Sequence, residues 1–138
     1  MCKTGNVNFD IYISPELYEE NKKKGGVPQK DDILVSAVGT LGFAYVVKGD
    51  KPFYYKDAYI LCFENRNNLN PYYFQYLIHS QFINKIIYEG SKGTTVDQLT
   101  IENAKKLPFP LPPLAEQQRI VATIEQAFAE FDAMEVNL

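Results

Sequence analysis

The stretch DDILVSAVGTLGFAYVV, residues 31–47, decides the fold of this chain. Two apolar runs rich in β-branched residues flank the tetrapeptide GTLG, residues 39–42, a composition typical of a strand, a tight connection and a second strand. A further strand is predicted over residues 57–63, DAYILCF, and its nearly continuous apolar character indicates burial on both faces. The first half of the chain is therefore predicted to form a sheet.

Helices are predicted before and after these strands in the sequence. Residues 14–24 begin with Ser14, a possible N-cap, and the short helix there is expected to stop at the glycines that follow. One longer helix is predicted from Asn70, a good N-cap, to Gly90, because apolar residues repeat there at helical spacing. A short helix is expected after Thr100, its candidate N-cap. The expected fold class is mixed α/β (α+β), with a curved, mostly antiparallel sheet, packed helices and a projecting C-terminal helix.

A proline-rich segment precedes the last helix in LPFPLPPLAEQQRIV, residues 107–121. Its four prolines prevent both helix and ladder formation, so an extended strap is predicted, with Leu107, Phe109 and Leu111 as apolar anchors to the domain. We expect this strap to decouple the following helix from the globular body and to fix where it leaves.

The last helix carries a heptad seam with spacings of four and three residues, which is typical of helices that pair with a partner helix. Val121 and Phe128 widen the apolar stripe, so an amphipathic helix packed on its own domain is the open alternative. The predicted helix-pairing residues are Ile120, Ile124, Ala127, Phe131, Met134 and Leu138.

The composition and charge of the chain limit the functions that it can have. Net charge is −3, which taken alone argues against nucleic-acid binding, but residues 21–56 hold seven lysines against three aspartates, a local balance of +4. The two cysteines lie far apart in sequence, with no ligand cluster beside them, so neither a metal site nor a disulfide framework is predicted. No apolar run is long enough to span a membrane and no signal peptide is evident, so a soluble, cytoplasmic protein is expected.

No catalytic motif is recognisable. The GTLG tetrapeptide lacks the glycine spacing and the Lys-Ser/Thr ending of a phosphate loop, and we interpret it as a turn. His79 has no Ser, Cys or second ligand beside it, and is interpreted as a surface or hydrogen-bonded core residue. No cofactor site and no metal site are predicted, and the chain resembles a binding module more than an enzyme.

Several polar segments are candidates for nucleic-acid binding, each a weak signal alone, and the lysine run 22–24 is also typical of a plain solvated face. Lysines neutralise phosphates, and threonine and glutamine side chains can bind base edges, in particular those of the loop SKGTTVDQ, residues 91–98. The predicted DNA face combines the 39–42 turn, the lysine-rich segment and this loop. The candidate DNA-binding residues are Lys22, Lys23, Lys24, Lys30, Thr40, Lys48, Lys51, Lys56, Ser91, Lys92, Thr94, Thr95 and Gln98.

With these residues in view, the chain resembles a target recognition domain of the DNA specificity subunit of type I restriction-modification systems. The resemblance covers about residues 31–138. It rests on the strand-turn-strand of 31–47, on the helix NPYYFQYLIHSQFINKII, and above all on PLPPLAEQQRIV, which is similar to the family's junction between recognition domain and spacer helix.

The resemblance implies a non-catalytic subunit that reads one half of a split site in double-stranded DNA. It implies a target recognition domain over 1–111 and a coiled-coil spacer helix over 112–138. The implied partners are the methyltransferase subunit and, through the complex, the restriction and translocase subunit, with S-adenosylmethionine and ATP chemistry carried out by those subunits. The family usually carries two recognition domains in one chain, so this sequence is either a half-subunit or a piece of a longer chain. A half-subunit would need a second copy, paired through the C-terminal helix with two-fold symmetry.

Two alternatives stay open on the residues alone. One is a protein-interaction module that acts through its C-terminal helix and binds no DNA, which would be favoured if the basic segment were dispersed or buried. The other is an enzyme whose site would be a pocket with converging titratable groups.

Overall fold

The computed structural model describes residues 13–24, 26–49, 52–55, 59–91 and 97–136. The described part has the predicted mixed α/β fold, with a three-stranded antiparallel sheet in the order β2-β1-β3. The strands are β1 (Ile33–Ser36), β2 (Ala44–Val46) and β3 (Ile60–Phe63). β1 pairs with β2 in the register Leu34 to Tyr45, which confirms the predicted strand, connection and second strand.

The turn between β1 and β2 is held by its own polar groups. The Ser36 hydroxyl donates to the Thr40 carbonyl and accepts from the Phe43 N–H at 2.9 Å. Gly42 has a φ of +75°, and a Cβ placed on it would lie 3.0 Å from the side-chain oxygen of Asn84, so glycine is required there on two counts. Leu41 is buried, which fixes the turn onto the core.

β3 differs from its prediction. All four of its residues are half-buried, because β3 pairs only with β1 among the described strands and so lies at an edge of the sheet. A continuous apolar run indicates a strand but does not distinguish a central position from an edge. The described strand begins at Ile60, and the predicted residues 57 and 58 lie outside the described part.

The predicted N-caps are confirmed. The Ser14 side chain accepts a hydrogen bond from the Leu17 N–H at the start of α1 (Pro15–Lys23), and Asn70 caps α2 (Pro71–His79) in the same way. Thr100 caps the short helix α4 (Ile101–Lys105). Local side-chain acceptors of this kind satisfy the first free N–H groups of a helix.

The prediction of a single helix from Asn70 to Gly90 is wrong. The segment forms two helices, α2 and α3 (Gln81–Ser91), and Ser80 between them has an extended backbone. The Ser80 hydroxyl donates to the Leu77 carbonyl at 2.6 Å and accepts from the Ile83 N–H at 3.3 Å, so it ends one helix and begins the next. Serine side chains compete with helical backbone bonds in this way, and the apolar period continues across the break.

The core lies between the sheet and helices α2 and α3. Val35, Ile78 and Ile83 are almost completely buried within it. The strap joins this core as predicted through Leu107 and Phe109, and the Phe109 ring lies 4.5 Å from that of Phe74. Leu111, the third predicted anchor, is 57% exposed and does not pack there.

The last helix, α5 (Leu114–Val136), packs its first turns against α2. Gln117 and Val121 are its buried residues among those described. The predicted decoupling of this helix from the globular body is therefore wrong for its N-terminal part. No described helix combines the length and the apolar character needed to cross a bilayer.

Candidate nucleic-acid interface

The turn after β1 and the end of the 91–98 loop lie side by side. Gln98 forms an isolated antiparallel bridge with Val38, and the Leu99 N–H donates to the Ala37 carbonyl at 2.8 Å. Thr40 and Gln98 are both exposed. Two of the candidate DNA-binding residues, far apart in sequence, therefore lie at the same end of the β1–β2 hairpin.

Ser91 does not share this surface. It is the last residue of α3 and 2% exposed, and its hydroxyl donates to the Tyr88 carbonyl at 2.8 Å. Its prediction as a DNA-binding residue is not supported by this position, because a buried hydroxyl bonded within its own helix is not available to DNA. Lys92, Thr94 and Thr95 lie outside the described residues.

The lysines lie at the opposite end of the hairpin. Lys30 precedes β1 and Lys48 follows β2, and the backbone bond from Asp31 N–H to the Val47 carbonyl, 2.8 Å, continues the pairing there. Gly49 lies against Lys30, since a Cβ on it would be 2.8 Å from the Lys30 Cβ. The predicted single DNA face is thus two groups of residues, separated by the length of the hairpin. Lys51 and Lys56 are outside the described residues.

The positive charge of the lysine run at the end of α1 is offset by glutamates of the same helix. Lys24 lies 2.5 Å from Glu20 and Lys22 lies 4.0 Å from Glu19, both as neighbours one turn apart, while Lys23 is exposed. Glu16 completes three carboxylates for the three lysines, so the segment is close to neutral. Such exposed pairs contribute little to stability, but they reduce the local positive potential.

A polar cleft of about 430 Å³ is lined by basic and acidic groups that are distant in sequence. Its charged lining residues are Lys22, Lys30, Asp32, Glu64 and Arg66. Arg66 also pairs with Glu64, its Nε lying 2.6 Å from the carboxylate. Arg66 was not among the predicted residues, because a single arginine after a strand carries no sequence signal of this grouping.

The predicted seam of α5 divides into two parts. Ile120 and Ile124 are half-buried toward the domain, whereas Ala127, Phe131 and Met134 are exposed, the last two by 65% and 62%. Phe128 lies near Tyr76 of α2, with ring centroids 6.2 Å apart. The alternative of a helix packed on its own domain therefore holds for the first part of α5, whereas pairing with a partner helix stays a prediction for the exposed part. Leu138 lies outside the described residues.

Gln117 was missed by the sequence reasoning. Its side-chain oxygen accepts from the Asn70 N–H at 3.0 Å, and its amide nitrogen donates to the Pro112 carbonyl at 2.8 Å. The sequence did offer a signal for it. The Gln117 amide lies on the apolar stripe of α5, one turn before Val121, and a polar side chain buried there needs a hydrogen-bond partner.

The described residues show neither a metal-ligand cluster nor an activated thiol. No group of three or more His, Cys, Asp or Glu side chains in this part of the chain is arranged to hold a metal ion. Burial and the nearby Asp32 carboxylate raise the pKa of the Cys62 thiol to about 11, which disfavours the reactive thiolate. His79 is, as predicted, a satisfied residue, since its Nε2 accepts from the Ala44 N–H.

A second cavity, of about 410 Å³, lies between β3, α4 and the strap. Its lining is mainly apolar, with Phe63, Phe74 and Phe109 at its centre and Glu64 and Lys105 among its few polar residues. Glu64 is already paired with Arg66. Converging titratable groups of the kind an acid and base catalyst needs are thus not found around this cavity among the described residues.

Comparison with known proteins assigns this chain to a family. The family model described as type I restriction modification DNA specificity domain matches residues 2–137. The chain belongs to this family, and the resemblance to a target recognition domain of a specificity subunit is confirmed.

Individual relatives agree. The chain is 38% identical over 117 residues to a Haemophilus influenzae protein named as type I restriction enzyme specificity subunit S.HindORF215P, covering 85% of this chain and 29% of that protein. It is 28% identical over 107 residues to the Type I restriction enzyme EcoBI specificity subunit of Escherichia coli, covering 78% and 23%. The chain thus spans less than a third of the length of either relative.

A solved structure has a similar fold. The two superpose with a TM-score of 0.63 at 25% identity, over 80% of this chain and 26% of the other. That structure was described in a study of complex assembly and conformational transition of the type I R-M system.

Proposed function

We propose that this chain reads one half of a split site in duplex DNA and positions methyltransferase and restriction subunits there, without catalysis of its own. In this proposal residues 1–111 are the recognition domain and 112–138 are the spacer helix. The family membership and the names of the relatives support it.

One observation carries the DNA-reading part: the bridge between Val38 and Gln98. It joins the 39–42 turn to the loop that contains Lys92, Thr94 and Thr95, so exposed threonine and glutamine side chains from two segments share one end of the sheet. Side chains that reach base edges specify the sequence, whereas contacts to phosphates supply attraction that does not depend on sequence. In the proposal, Lys30 and Lys48 contact the backbone of the same duplex.

The subunit-positioning part rests on the C-terminal part of α5. Phe131 and Met134 present an apolar face that no described residue covers. A helix from a second copy, or from further along a longer chain of this kind, would bury it in a coiled coil. In the proposal, the paired helices set the distance between two recognition domains and carry the docking surface for the methyltransferase subunit.

The experiment is selection from a randomised duplex-DNA pool by this chain together with its methyltransferase subunit, at low and high salt. We expect enrichment of a short motif, split and repeated if two copies pair. Retention that disappears with salt and selects no motif would contradict the proposal.

Variants then assign the reading residues. Thr40→Ala and Gln98→Ala, and Lys92→Ala with Thr95→Ala, are expected to relax the selected motif while the domain stays folded. Gln118→Ala, an exposed glutamine on α5, is the matched control and is expected to select the wild-type motif. An unchanged motif in all the loop variants would exclude this end of the sheet as the reading surface.

A second candidate function is a protein-interaction module that acts through α5 alone. The exposed Phe131 and Met134 and the net charge of −3 favour it. The same DNA selection separates the two, because a module of this class would bind a helical partner equally well with Thr40 or Gln98 replaced and would enrich no motif.

A further inference from the structure

Gln117 connects three segments of the chain. It is the fourth residue of α5 and is 2% exposed. Its oxygen accepts from the backbone N–H of Asn70, at the start of α2, and its amide nitrogen donates to the backbone carbonyl of Pro112, at the end of the strap. One side chain thus joins the spacer helix, the recognition domain and the connection between them.

The partners of Gln117 are themselves held in place. The Asn70 side chain accepts from the N–H groups of Tyr72 and Tyr73, so Asn70 is fixed as the N-cap of α2. The Tyr73 hydroxyl donates to the Pro110 carbonyl at 2.9 Å, which fixes the strap on the same helix. Gln117 therefore bonds to groups that move with the domain.

The contacts of α5 that follow Gln117 join apolar side chains. Val121 is buried one turn after Gln117, Ile124 is half-buried, and the Phe128 ring lies 6.2 Å from that of Tyr76. Apolar contacts of this kind are not directional, whereas hydrogen bonds through both polar atoms of one amide constrain its orientation. Gln117 thus supplies the directional part of the contact between α5 and the domain.

The chemistry of the site requires an amide. One partner is a donor and the other is an acceptor, and glutamine offers one atom of each kind. A glutamate would set a carboxylate oxygen against the Pro112 carbonyl, and a methionine would fill the space but leave both backbone groups unpaired.

We propose that Gln117 is a positioning residue that fixes the direction in which α5 leaves the recognition domain, and hence the separation of the two half-sites. The second part of this inference rests on the proposed function. The first part concerns the chain alone and is tested without DNA.

The first test measures the distance between the domain and the helix in the full chain. Spin labels are placed at exposed positions through Lys48→Cys and Ala129→Cys, with Cys2→Ser and Cys62→Ala, and their distance distribution is recorded. We expect a narrow distribution in the parent and a broadened or shifted one in Gln117→Glu and Gln117→Met. Gln118→Glu makes the same change at the adjacent exposed residue and is expected to retain the parent distribution.

The outcomes are distinct. Parent-like distributions in both Gln117 variants would overturn the proposal. So would variants that unfold as a whole, judged by circular dichroism, without any folded species of altered distance, because Gln117 would then serve stability alone. Gln117→Met keeps the length and helix propensity of the side chain, so it separates these cases if Gln117→Glu does not fold.

The second test uses the assembled enzyme and split sites whose gap is lengthened or shortened by one base pair. The parent is expected to prefer one gap, and Gln117→Met to lose that preference while it selects the same half-site motif. An unchanged gap preference would overturn the link to spacing. A parent enzyme that binds no specific DNA would refute the proposed function, whereas the spin-label result would still decide the role of Gln117.

Discussion

The imidazole Nε2 of His79 accepts a hydrogen bond from the backbone N–H of Ala44 at 3.0 Å. One turn earlier on α2, the Gln75 amide donates to the carbonyl of the same residue at 2.8 Å. Ala44 begins β2, which is an edge strand among the described strands. Two side chains of α2 thus satisfy both polar groups of Ala44, a way of closing a strand edge against further pairing.

This bond predicts a pH dependence of stability. The His79 imidazole must be neutral to accept the hydrogen bond from the Ala44 N–H. Burial lowers the pKa of His79 from its ordinary value of 6.5. The unfolded chain therefore binds the proton at a higher pH than the folded chain does. The stabilising contribution of the neutral imidazole is complete above about pH 6.5 and is lost as the pH falls toward the folded-state pKa.

Urea unfolding of the wild type and of His79→Gln between pH 5 and 8 measures this component. His79 is the only histidine in the chain, so the difference between the two proteins isolates it. We expect that difference to change on acidification below about pH 6.5, with the wild type losing more stability. A difference that stays constant with pH would contradict the assignment.

The exposed lysines are expected to differ in their effect on DNA binding. No described carboxylate lies within ion-pair distance of Lys48, whereas Lys24 is paired with Glu20. Lys48→Ala should make the negative slope of log affinity against log salt less steep by about 0.9, the value for one lost phosphate contact. Lys24→Ala is the matched control and should leave the slope close to that of the wild type, because Glu20 already neutralises Lys24. Equal effects of both variants would mean that the two lysines are not distinguished by their pairing.

The exposed face of α5 is expected to mediate association without contributing to the fold. Phe131→Ser combined with Met134→Ser should weaken self-association, or pairing with a partner helix, while the free energy of unfolding of the monomer changes by no more than about 0.5 kcal/mol. Analytical ultracentrifugation measures the first and urea unfolding the second. Ala129→Ser introduces the same residue at an exposed position outside the seam and should leave association unchanged. Unaltered association of the double variant would remove this face as an interface.

Cys62 is expected to be unreactive in the folded chain. Burial, and next the Asp32 carboxylate with an oxygen 4.0 Å from Sγ, raise the pKa of its thiol to about 11. In a Cys2→Ser background, alkylation at pH 8 should be slow for the native protein and fast in denaturant, where the thiol recovers its ordinary pKa near 8.5. Mass spectrometry follows the reaction. Equal rates in both states would show that the thiolate is accessible in the native fold.

The sequence predicted the elements whose determinants are local. The hairpin of 31–47 follows from two apolar strands around glycines, and the caps Ser14, Asn70 and Thr100 each bond within three residues of their own position. The strap follows from its prolines. The helix break at Ser80 was missed because the apolar residues before and after it follow the same helical spacing. The break is visible only in the hydrogen bonds of the Ser80 hydroxyl, which end α2 and begin α3.

By itself, then, the sequence determined the mixed α/β class, the hairpin with its turn, the capped helices and the heptad seam, because short-range sterics and capping bonds fix these. Only the tertiary structure decided that β3 lies at an edge among the described strands, that Lys30 and Thr40 lie at opposite ends of the hairpin, and that α5 docks before it projects. The bond between Gln117 and Asn70 spans 47 residues. No local pattern specifies which buried donor such an amide will meet, since that depends on how distant elements pack.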